Sequence, residues 1–241
     1  MEPGSLVTED GVVLPPRPSE AELRPLYEIG DRPSVRLSMI QAPDHGAVGI
    51  DGKSGTLNGP EDLRVLKVTR SWADVVIIGA RTARIEGYGN IRLGPELTAA
   101  REASGFSRLP DLALITRSGR VPDGLDPTRT WIFTTEAGHA AVMGGPLASR
   151  VFTVGTEAVD ATAIVATLWD AGRRRMLCEG GPAVAEMFID ANLVSDFCLT
   201  TSPHPSGPGP VVPPVPASLR RELVLTGNGY TMERWSQPQA Y

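Results

Sequence analysis

Cysteine and histidine are scarce in this chain of 241 residues, which has two of the first and three of the second. Cys178 and Cys198 each lie inside an apolar run, so we expect buried, reduced thiols rather than a disulfide framework. The histidines, His45, His139 and His204, lack the spacing of metal ligands. The scarcity therefore argues against a disulfide-rich secreted protein and against a bound metal.

The chain also carries little positive charge and has no long apolar run. The formal net charge is -5, which argues against a protein that binds nucleic acid or an anionic membrane surface. No apolar run approaches the roughly 18 residues that a membrane-spanning helix needs. The first residues show neither the basic start nor the apolar core of a signal peptide. We therefore expect a cytoplasmic protein, with a core supplied by the 41% of its residues that are hydrophobic.

The sequence also lacks several familiar motifs of catalysis and nucleotide binding. Neither the Rossmann fingerprint Gly-x-Gly-x-x-Gly nor the P-loop pattern is present. The Gly-x-Ser-x-Gly nucleophile elbow and the Pro-Cys-x-x-Cys element of zinc deaminases are missing as well. The chemistry of this protein must therefore be inferred from other features.

Segments typical of strands and of helices alternate along most of the chain. The β-branched run at residues 75–78 is typical of a strand that is buried on both faces of a parallel sheet. Other strands are expected at residues 35–40, 112–116, 131–134, 151–154, 174–178 and 196–202, with a closing antiparallel hairpin over 222–226 and 230–235. Helices are expected from residue 60, after residue 79, at 161–171 and from residue 182. The alternation predicts an α/β fold, with a mostly parallel mixed sheet flanked by helices.

We predict a single domain over residues 34–241, because no linker divides this part of the chain. Residues 1–33 are rich in proline and acidic side chains and are expected to form an N-terminal surface segment. A short helix is expected near residues 21–27 within that segment. In the first long helix of the domain, Leu63 and Leu66 are expected to face the core.

Three predicted strands end in residues that suit a phosphate-bearing ligand. Glycine, hydroxyl or charged residues stand at these ends: Gly79 and Thr82; Thr116, Arg117 and Ser118; Glu179, Gly180 and Gly181. Since the carboxyl ends of parallel strands meet at one edge of a sheet, the three ends could line one elongated anion. At the third end, the Gly-Gly turn and a helix opened by Pro182 offer backbone N–H groups to phosphate. An ordinary strand–helix connector is the alternative for that turn taken alone.

In their order and spacing, these motifs resemble the reductase of riboflavin biosynthesis. That family is represented by the C-terminal half of the bifunctional bacterial deaminase–reductase and by stand-alone archaeal enzymes. The matching pieces cover roughly residues 36 to 235 and are the glycine-rich loop at 43–55 with Ser54, then Gly79-x-x-Thr82-x-x-x-Glu86, Arg92, residues 116–120, Glu179-Gly180-Gly181-Pro182 and Pro203-x-x-x-Gly207. The family's first loop reads Ser-Leu-Asp-Gly, whereas this chain has Ala42-Pro43-Asp44-His45-Gly46, with one extra residue.

The resemblance implies a dihydrofolate-reductase-like fold, NADPH as cofactor and a homodimer. The implied reaction reduces the phosphorylated pyrimidine 5-amino-6-(5-phosphoribosylamino)uracil to its ribitylamino product. The implied cofactor-binding residues are Gly79, Thr82, Glu86, Thr116, Arg117, Ser118, Glu179, Gly180, Gly181 and Pro182. Of these, Gly180 and Gly181 would hold the pyrophosphate, and Arg117 and Ser118 would meet the 2′-phosphate, with Arg120 as a second candidate. Ser54 and Arg92 would bind the substrate, the Arg92 guanidinium pairing with its 5′-phosphate.

The implied reaction needs a hydride from NADPH and a proton from elsewhere. Asp44, His45 or an ordered water is the expected proton source. Two alternatives stay open on the sequence alone: a reductase of a dihydropterin, dihydrofolate or another pyrimidine, and a catalytically silent dinucleotide-binding module. The altered first loop favours both alternatives, whereas the intact Thr82, Arg117 and Gly-Gly turn argue against the silent module.

Overall fold

The computed structural model describes residues 1–16, 20–28, 33–143, 145 and 147–238. The strands of these residues are β1 (Leu6–Thr8), β2 (Val13–Leu14), β3 (Ser34–Gln41), β4 (Val75–Gly79), β5 (Asp111–Thr116), β6 (Thr130–Thr134), β7 (Val151–Thr153), β8 (Arg175–Cys178), β9 (Val194–Thr201), β10 (Arg220–Gly227) and β11 (Tyr230–Ser236). The α-helices are α1 (Pro60–Trp72), α2 (Ala80–Glu86), α3 (Pro95–Ala103), α4 (Glu136–Val142), α5 (Ala161–Asp170) and α6 (Pro182–Asp190). Short 3₁₀ turns cover Arg24–Tyr27, Ser54–Thr56 and Ala148–Arg150.

All of these strands lie in one sheet, in the order β2-β1-β10-β11-β9-β3-β8-β4-β5-β6-β7. The seven strands from β9 to β7 pair in parallel, and the other four pair antiparallel. The expected mixed, mostly parallel sheet with a C-terminal hairpin is thus confirmed. We call the side where β3, β4, β5, β6 and β8 end the carboxyl edge, and the opposite side, where β4, β5, β6 and β8 begin, the amino edge.

Helices cover both faces of the parallel strands, as β4 shows. Val75 and Ile77 pack with residues of α5 and α6 on one face, while Val76 and Ile78 pack with residues of α2 and α4 on the other. All four side chains are fully buried. A continuous apolar run is therefore what this position in the sheet requires.

The N-terminal segment differs from the surface segment that was expected. Leu6 is fully buried, and β1 pairs with the hairpin strand β10, so that the hairpin does not form an edge of the sheet. The Arg64 guanidinium donates to the carbonyl oxygens of Gly4 and Leu14 at 3.0 and 2.9 Å, which holds this segment against α1. The segment therefore shares a core with the sheet, while the domain boundary at residue 34 stays a prediction.

The face of helix α1 that packs against the core is not the face of Leu63 that the sequence predicted. Leu63 is 37% exposed, whereas Val65 and Val68 are buried. Glu61 and Arg64 are buried as well, because both hold main-chain groups of the N-terminal segment; the Glu61 carboxylate accepts from the Gly4 N–H at 2.7 Å. Contacts far away in sequence set this orientation.

Both cysteines are buried and unpaired with each other, as expected. Burial raises the pKa of each thiol to about 12, so neither forms a thiolate near neutral pH. In the part of the chain that the structure describes, every helix is too short or too polar to cross a membrane.

Candidate active site

The Gly-Gly turn after β8 is locked against the turn after β4. The Gly79 N–H donates to the Gly180 carbonyl at 2.7 Å, and the Gly181 N–H donates to Thr82 Oγ1 at 3.1 Å. Gly180 has φ = +88°, a conformation that side chains strongly disfavour. Gly181 has φ = −66°, but a Cβ there would lie only 2.8 Å from Thr82 Oγ1. Four residues from two separate sequence motifs therefore meet at one point of the carboxyl edge.

The helix that follows this turn offers a place for phosphate. Helix α6 has nine residues, its N-cap is Gly181, and no side chain caps it. Pro182 occupies the first turn, where its missing N–H costs nothing. The N–H groups of Gly181 and Val184 already donate to Thr82 Oγ1 and to the Gly181 carbonyl, at 3.1 and 2.9 Å, so the Ala183 N–H and the partial positive charge of the helix start remain for an anion. The uncapped turn and the glycine cradle fit the pyrophosphate of a dinucleotide.

A buried ion pair supports the turn from behind. The Arg70 guanidinium contacts both carboxylate oxygens of Glu179 at 2.6 and 2.7 Å, and their side chains are 15% and 3% exposed. The Tyr88 hydroxyl donates to Glu179 at 2.5 Å and accepts from Arg70 at 2.8 Å. Burial disfavours the charge on Arg70, but Glu179 outweighs burial and raises the pKa of Arg70. Burial, followed by the Glu179 charge, raises the pKa of Tyr88, which keeps its proton.

A second carboxyl group, that of Asp62 in the first turn of α1, is buried close to this ion pair. Burial, aided by the Glu179 charge and opposed by a hydrogen bond with Thr200 and by the Arg70 charge, raises the pKa of Asp62 to about 6. Thr200 lies near the carboxyl end of β9. Asp62 is therefore a group at the carboxyl edge that changes its charge in mildly acidic solution.

The glycine-rich first loop, residues 42–56, is held by the proline-rich loop, residues 203–216. The N–H of Ala47 donates to the Pro210 carbonyl at 2.9 Å, and the N–H of Gly207 donates to the Val48 carbonyl at 3.0 Å. A Cβ on Gly207 would collide with the Gly49 carbonyl. The two loops form one unit beside the Gly-Gly turn. This contact explains why the Pro203-x-x-x-Gly207 motif occurs together with the first loop.

Glu86 joins the same loop unit to α2. Its carboxylate accepts from the N–H of Ser54 at 2.7 Å and from the Ser54 hydroxyl at 3.0 Å. The structure thus brings together Glu86, which was expected to bind the cofactor, and Ser54, which was expected to bind the substrate. In the described part of the chain, the hydrogen bonds of Glu86 position the first loop.

Asp44 and His45 lie at the tip of this loop. Both are exposed, and His45 has φ = +68°. Its Nδ1 lies 3.2 Å from the Gln41 side-chain oxygen. The Ser206 hydroxyl donates to the Asp44 carboxylate at 2.6 Å, and together with the Gly46 N–H it lowers the pKa of Asp44. Near neutral pH, Asp44 is therefore ionised and a poor proton donor.

The turn after β5 presents Arg117 and Ser118 to solvent at the same edge. Both residues are exposed, and Thr116 is buried beneath them with its hydroxyl donating to the Arg120 carbonyl at 3.2 Å. The Thr135 hydroxyl donates to the Arg117 carbonyl at 3.0 Å. The backbone of this turn is thus fixed while the Arg117 guanidinium points outward.

Beside Tyr88 lies a cavity of about 460 Å³. Its walls are Arg70, Arg92 and the loop 87–91. Arg92 is exposed, so a phosphate group could reach its guanidinium. The structure therefore places Arg92 next to the ion pair that supports the glycine turn.

Sequence reasoning missed Arg70 and Asp62, although both lie at this edge. Their positions in α1 resemble those of ordinary polar surface residues, and nothing in the local pattern marks them as buried. Thr135 was missed for a similar reason, because its role as a support for Arg117 depends on the pairing of β5 with β6.

Comparison with known proteins agrees with this geometry. The family model of the RibD C-terminal domain matches residues 33–226. The match covers most of the chain, which therefore belongs to the RibD C-terminal domain family and is an oxidoreductase. A curated relative, the 2,5-diamino-6-ribosylamino-4(3H)-pyrimidinone 5′-phosphate reductase of Archaeoglobus fulgidus, is 24% identical over 177 residues, which are 71% of this chain and 81% of the relative.

Solved structures share the fold. A pyrimidine reductase-like protein from Corynebacterium diphtheriae superposes with a TM-score of 0.76 at 21% identity, covering 87% of this chain and 94% of the other. The deaminase/reductase of Thermotoga maritima gives 0.65 at 17% identity, covering 86% and 57%. The riboflavin biosynthesis reductase Rib7 of Saccharomyces cerevisiae gives 0.61 at 16% identity, covering 88% and 92%.

Proposed function

We propose that this protein is an NADPH-dependent reductase of a phosphoribosylaminopyrimidine in riboflavin biosynthesis. The favoured substrate is 5-amino-6-(5-phosphoribosylamino)uracil, whose ribosyl C1 receives the hydride to give the ribitylamino product. The observation that carries the proposal is the cradle formed by Gly79, Thr82, Gly180 and Gly181 beside the cavity at Arg92. Family membership and the name of the archaeal relative support the same activity.

Cofactor binding is assigned to the turns after β4, β5 and β8. The N–H groups at the start of α6 would hold the pyrophosphate, and the exposed Arg117 and Ser118 would hold the 2′-phosphate that distinguishes NADPH from NADH. When bound, NADPH supplies the hydride. The chain itself contributes orientation, because the locked glycine turn and the fixed backbone at Arg117 hold two phosphate sites at a set distance.

Proton delivery is assigned to His45 or to a water held near it. Reduction of an opened ribosylamine needs one proton at the nitrogen or the ring oxygen. Since hydrogen bonds from Ser206 and Gly46 lower the pKa of Asp44, that carboxylate accepts protons poorly and donates them rarely at neutral pH. Its role is then to brace the loop through Ser206.

Oxidation of NADPH, followed at 340 nm with purified protein, tests the activity. We expect turnover with 5-amino-6-(5-phosphoribosylamino)uracil or with the 2,5-diamino pyrimidinone named for the archaeal relative. Turnover with dihydrofolate or a dihydropterin alone would show that the pyrimidine assignment is wrong. Binding of NADPH without any turnover would instead indicate a silent module.

The role of Arg92 is tested by comparing phosphorylated and dephosphorylated substrate. Arg92→Ala should raise KM for the phosphorylated form by tenfold or more, as expected when a charge-assisted bond of about 1.5–3 kcal/mol is lost. KM for the dephosphorylated form should change little. Arg221→Ala, in the distant hairpin, serves as the control. An equal effect of Arg92→Ala on both substrates would assign Arg92 a structural role.

A homodimer is also proposed, on the family resemblance. The structure covers β10 with β1, so pairing through the hairpin strand is not available to a second copy. A dimer would instead use the edge strands β2 or β7 or side-chain packing, and light scattering of the purified protein would measure its mass.

A further inference from the structure

A second cavity, of about 580 Å³, lies at the amino edge. Its lining comes from residues that directly precede or begin β4, β5, β6 and β8 and from the segment after α3: Asp74, Ser104, Gly105, Phe106, Ser107, Asp111, Thr128, Arg129, Gly172, Arg173 and Arg175. Strand β4 spans five residues, so this cavity is roughly 16 Å from the glycine turn at about 3.3 Å per residue. It is therefore separate from the candidate active site.

Positive charge exceeds negative charge around Asp111. Its carboxylate faces three guanidinium groups: that of Arg173 at 2.8 Å, that of Arg129 at 3.5 Å and that of Arg150 at 3.9 Å. The side chain of Asp111 is 8% exposed, whereas those of the three arginines are 30–33% exposed. The Asp126 carboxylate also interacts electrostatically with Arg129 and Arg150, so two carboxylates face three guanidinium groups and an excess of positive charge remains that solvent can reach.

The other carboxylate of the cavity does not remove the excess. Asp74 accepts from the N–H groups of Arg174 and Arg175 at 3.1 and 2.9 Å, and it lies 3.4 Å from the Arg175 guanidinium. Arg101 is fully buried behind the cavity, and its hydrogen bonds in the described part of the chain go to main-chain carbonyls and Ser107. The excess of positive charge around Asp111 therefore remains, in a protein whose net charge is -5.

The charge state of Arg101 reports the same imbalance. Burial, opposed by the Asp74 carboxylate and aided by the charges of Arg129, Arg24 and Arg175, lowers the pKa of Arg101 to about 10. A guanidinium repelled by three others lies in a positive field. An anion in the cavity would relieve that repulsion.

We propose that the amino-edge cavity binds a small multivalent anion of the phosphate or pyrophosphate class, held by Arg129 and Arg173. The guanidinium fork suits bidentate contact with phosphate oxygens. The concave shape selects a small anion, and the acidic surface elsewhere on the chain disfavours a long polyanion such as a nucleic acid. The site does not depend on the proposed reductase activity, because it shares no residue with the carboxyl edge.

Titration calorimetry with inorganic pyrophosphate tests the proposal, using the full chain saturated with NADPH at constant ionic strength set by chloride. We expect saturable binding that Arg173→Gln weakens at least tenfold and that Arg221→Gln, a change at an exposed hairpin arginine, leaves intact. A parallel titration with inorganic phosphate distinguishes a one-phosphate site from a two-phosphate site.

Circular dichroism verifies that each variant is folded, and Arg129→Gln replaces Arg173→Gln if the latter does not fold. Absence of saturable binding would overturn the proposal. So would equal weakening by Arg221→Gln, or loss of pyrophosphate binding when NADPH is added, since the anion would then occupy the cradle at Gly181. Failure of the reductase assay would leave this result unaffected.

Discussion

The same parallel strands form both edges of the sheet, but the two edges carry different kinds of hydrogen-bond donor. At the carboxyl edge, backbone groups of Gly79, Gly180 and Gly181 are brought within hydrogen-bond distance of one another and of Thr82. At the amino edge, arginine side chains surround Asp111. Glycines let a ligand approach the main chain closely, whereas arginines carry their donors on long, adaptable stems. The first edge suits a ligand of fixed shape, and the second suits a small ion.

The buried ion pairs of the two edges also differ in balance. Arg70 and Glu179 match one cation to one carboxylate, whereas Asp111 faces three cations. A matched buried pair is intolerant of losing either partner, because the remaining charge stays buried. A cluster with surplus cations can lose one of them more easily. The predictions below test this contrast, from the largest expected effect to the smallest.

Arg70→Met should lower the free energy of unfolding by about 3–5 kcal/mol, because Glu179 would remain buried without its cation. Urea unfolding measures the change. Arg221→Met is the matched control, since Arg221 pairs with Glu233 at 3.0 Å while 49% of its side chain is exposed, and it should cost less than about 1 kcal/mol. Adding Glu179→Gln to Arg70→Met should restore part of the loss. Equal losses in the two arginine variants would show that the Arg70 site is effectively solvated.

Asp62→Asn should change how stability depends on pH. The folded-state pKa of Asp62 is raised to about 6 from 3.8, chiefly by burial, so its protonated form is favoured in the folded protein. The wild type should therefore lose roughly 2 kcal/mol of stability relative to the variant as the pH rises from 4.5 to 7. Urea unfolding of both proteins at pH 4.5 and pH 7 measures this. Parallel pH profiles would mean that Asp62 titrates normally.

Arg117→Ala should weaken NADPH binding by roughly ten- to a hundredfold, or about 1.5–3 kcal/mol, and leave NADH binding nearly unchanged. The reason is that only NADPH carries a 2′-phosphate for the exposed guanidinium. Fluorescence titration with both cofactors measures the two affinities, and Arg120→Ala separates the second candidate from the first. Equal weakening of both cofactors would remove Arg117 from the 2′-phosphate site.

Gly181→Ala should reduce NADPH affinity tenfold or more, about 1.4 kcal/mol, in protein that stays folded. Its Cβ would meet Thr82 Oγ1 and displace the start of α6. Gly172→Ala is the matched control at the amino edge, because Gly172 has φ = +77° and open space around it. That change should cost roughly 1–2 kcal/mol of stability without altering NADPH affinity. Wild-type affinity in folded Gly181→Ala would show that the turn is only a connector.

Patterns confined to short stretches predicted much of the fold. The run that became β4, the helix opened by Pro182 and the hairpin around residues 227–229 were all expected, because burial on both faces, N-terminal proline and turn glycines leave local marks. The two glycines of the Gly-Gly turn are restricted in different ways. Only Gly180 adopts positive φ, and Gly181 is restricted by the Thr82 hydroxyl instead.

The burial of charged residues, in contrast, could not be predicted from any local sequence pattern. Asp62, Arg64 and Arg70 occupy positions on α1 that a 3.6-residue period assigns to neither face clearly, and Leu63 was expected to be buried in their place. Each charged group is buried because a partner from a remote segment meets it: Thr200, the Gly4 carbonyl and Glu179. A charge is buried only where such partners exist.

The sequence by itself determined the α/β class, the alternation of strands and helices along the chain, and the glycine- and hydroxyl-bearing turns of the carboxyl edge. These follow from periodicity and from backbone preferences that act within a few residues. Only the tertiary structure decided that β1 covers the hairpin, that Arg70 supports the Gly-Gly turn through Glu179, and that arginines from the starts of three strands gather around Asp74 and Asp111. Some of these contacts join residues more than 100 positions apart. Their energy depends on distance and burial rather than on local sequence.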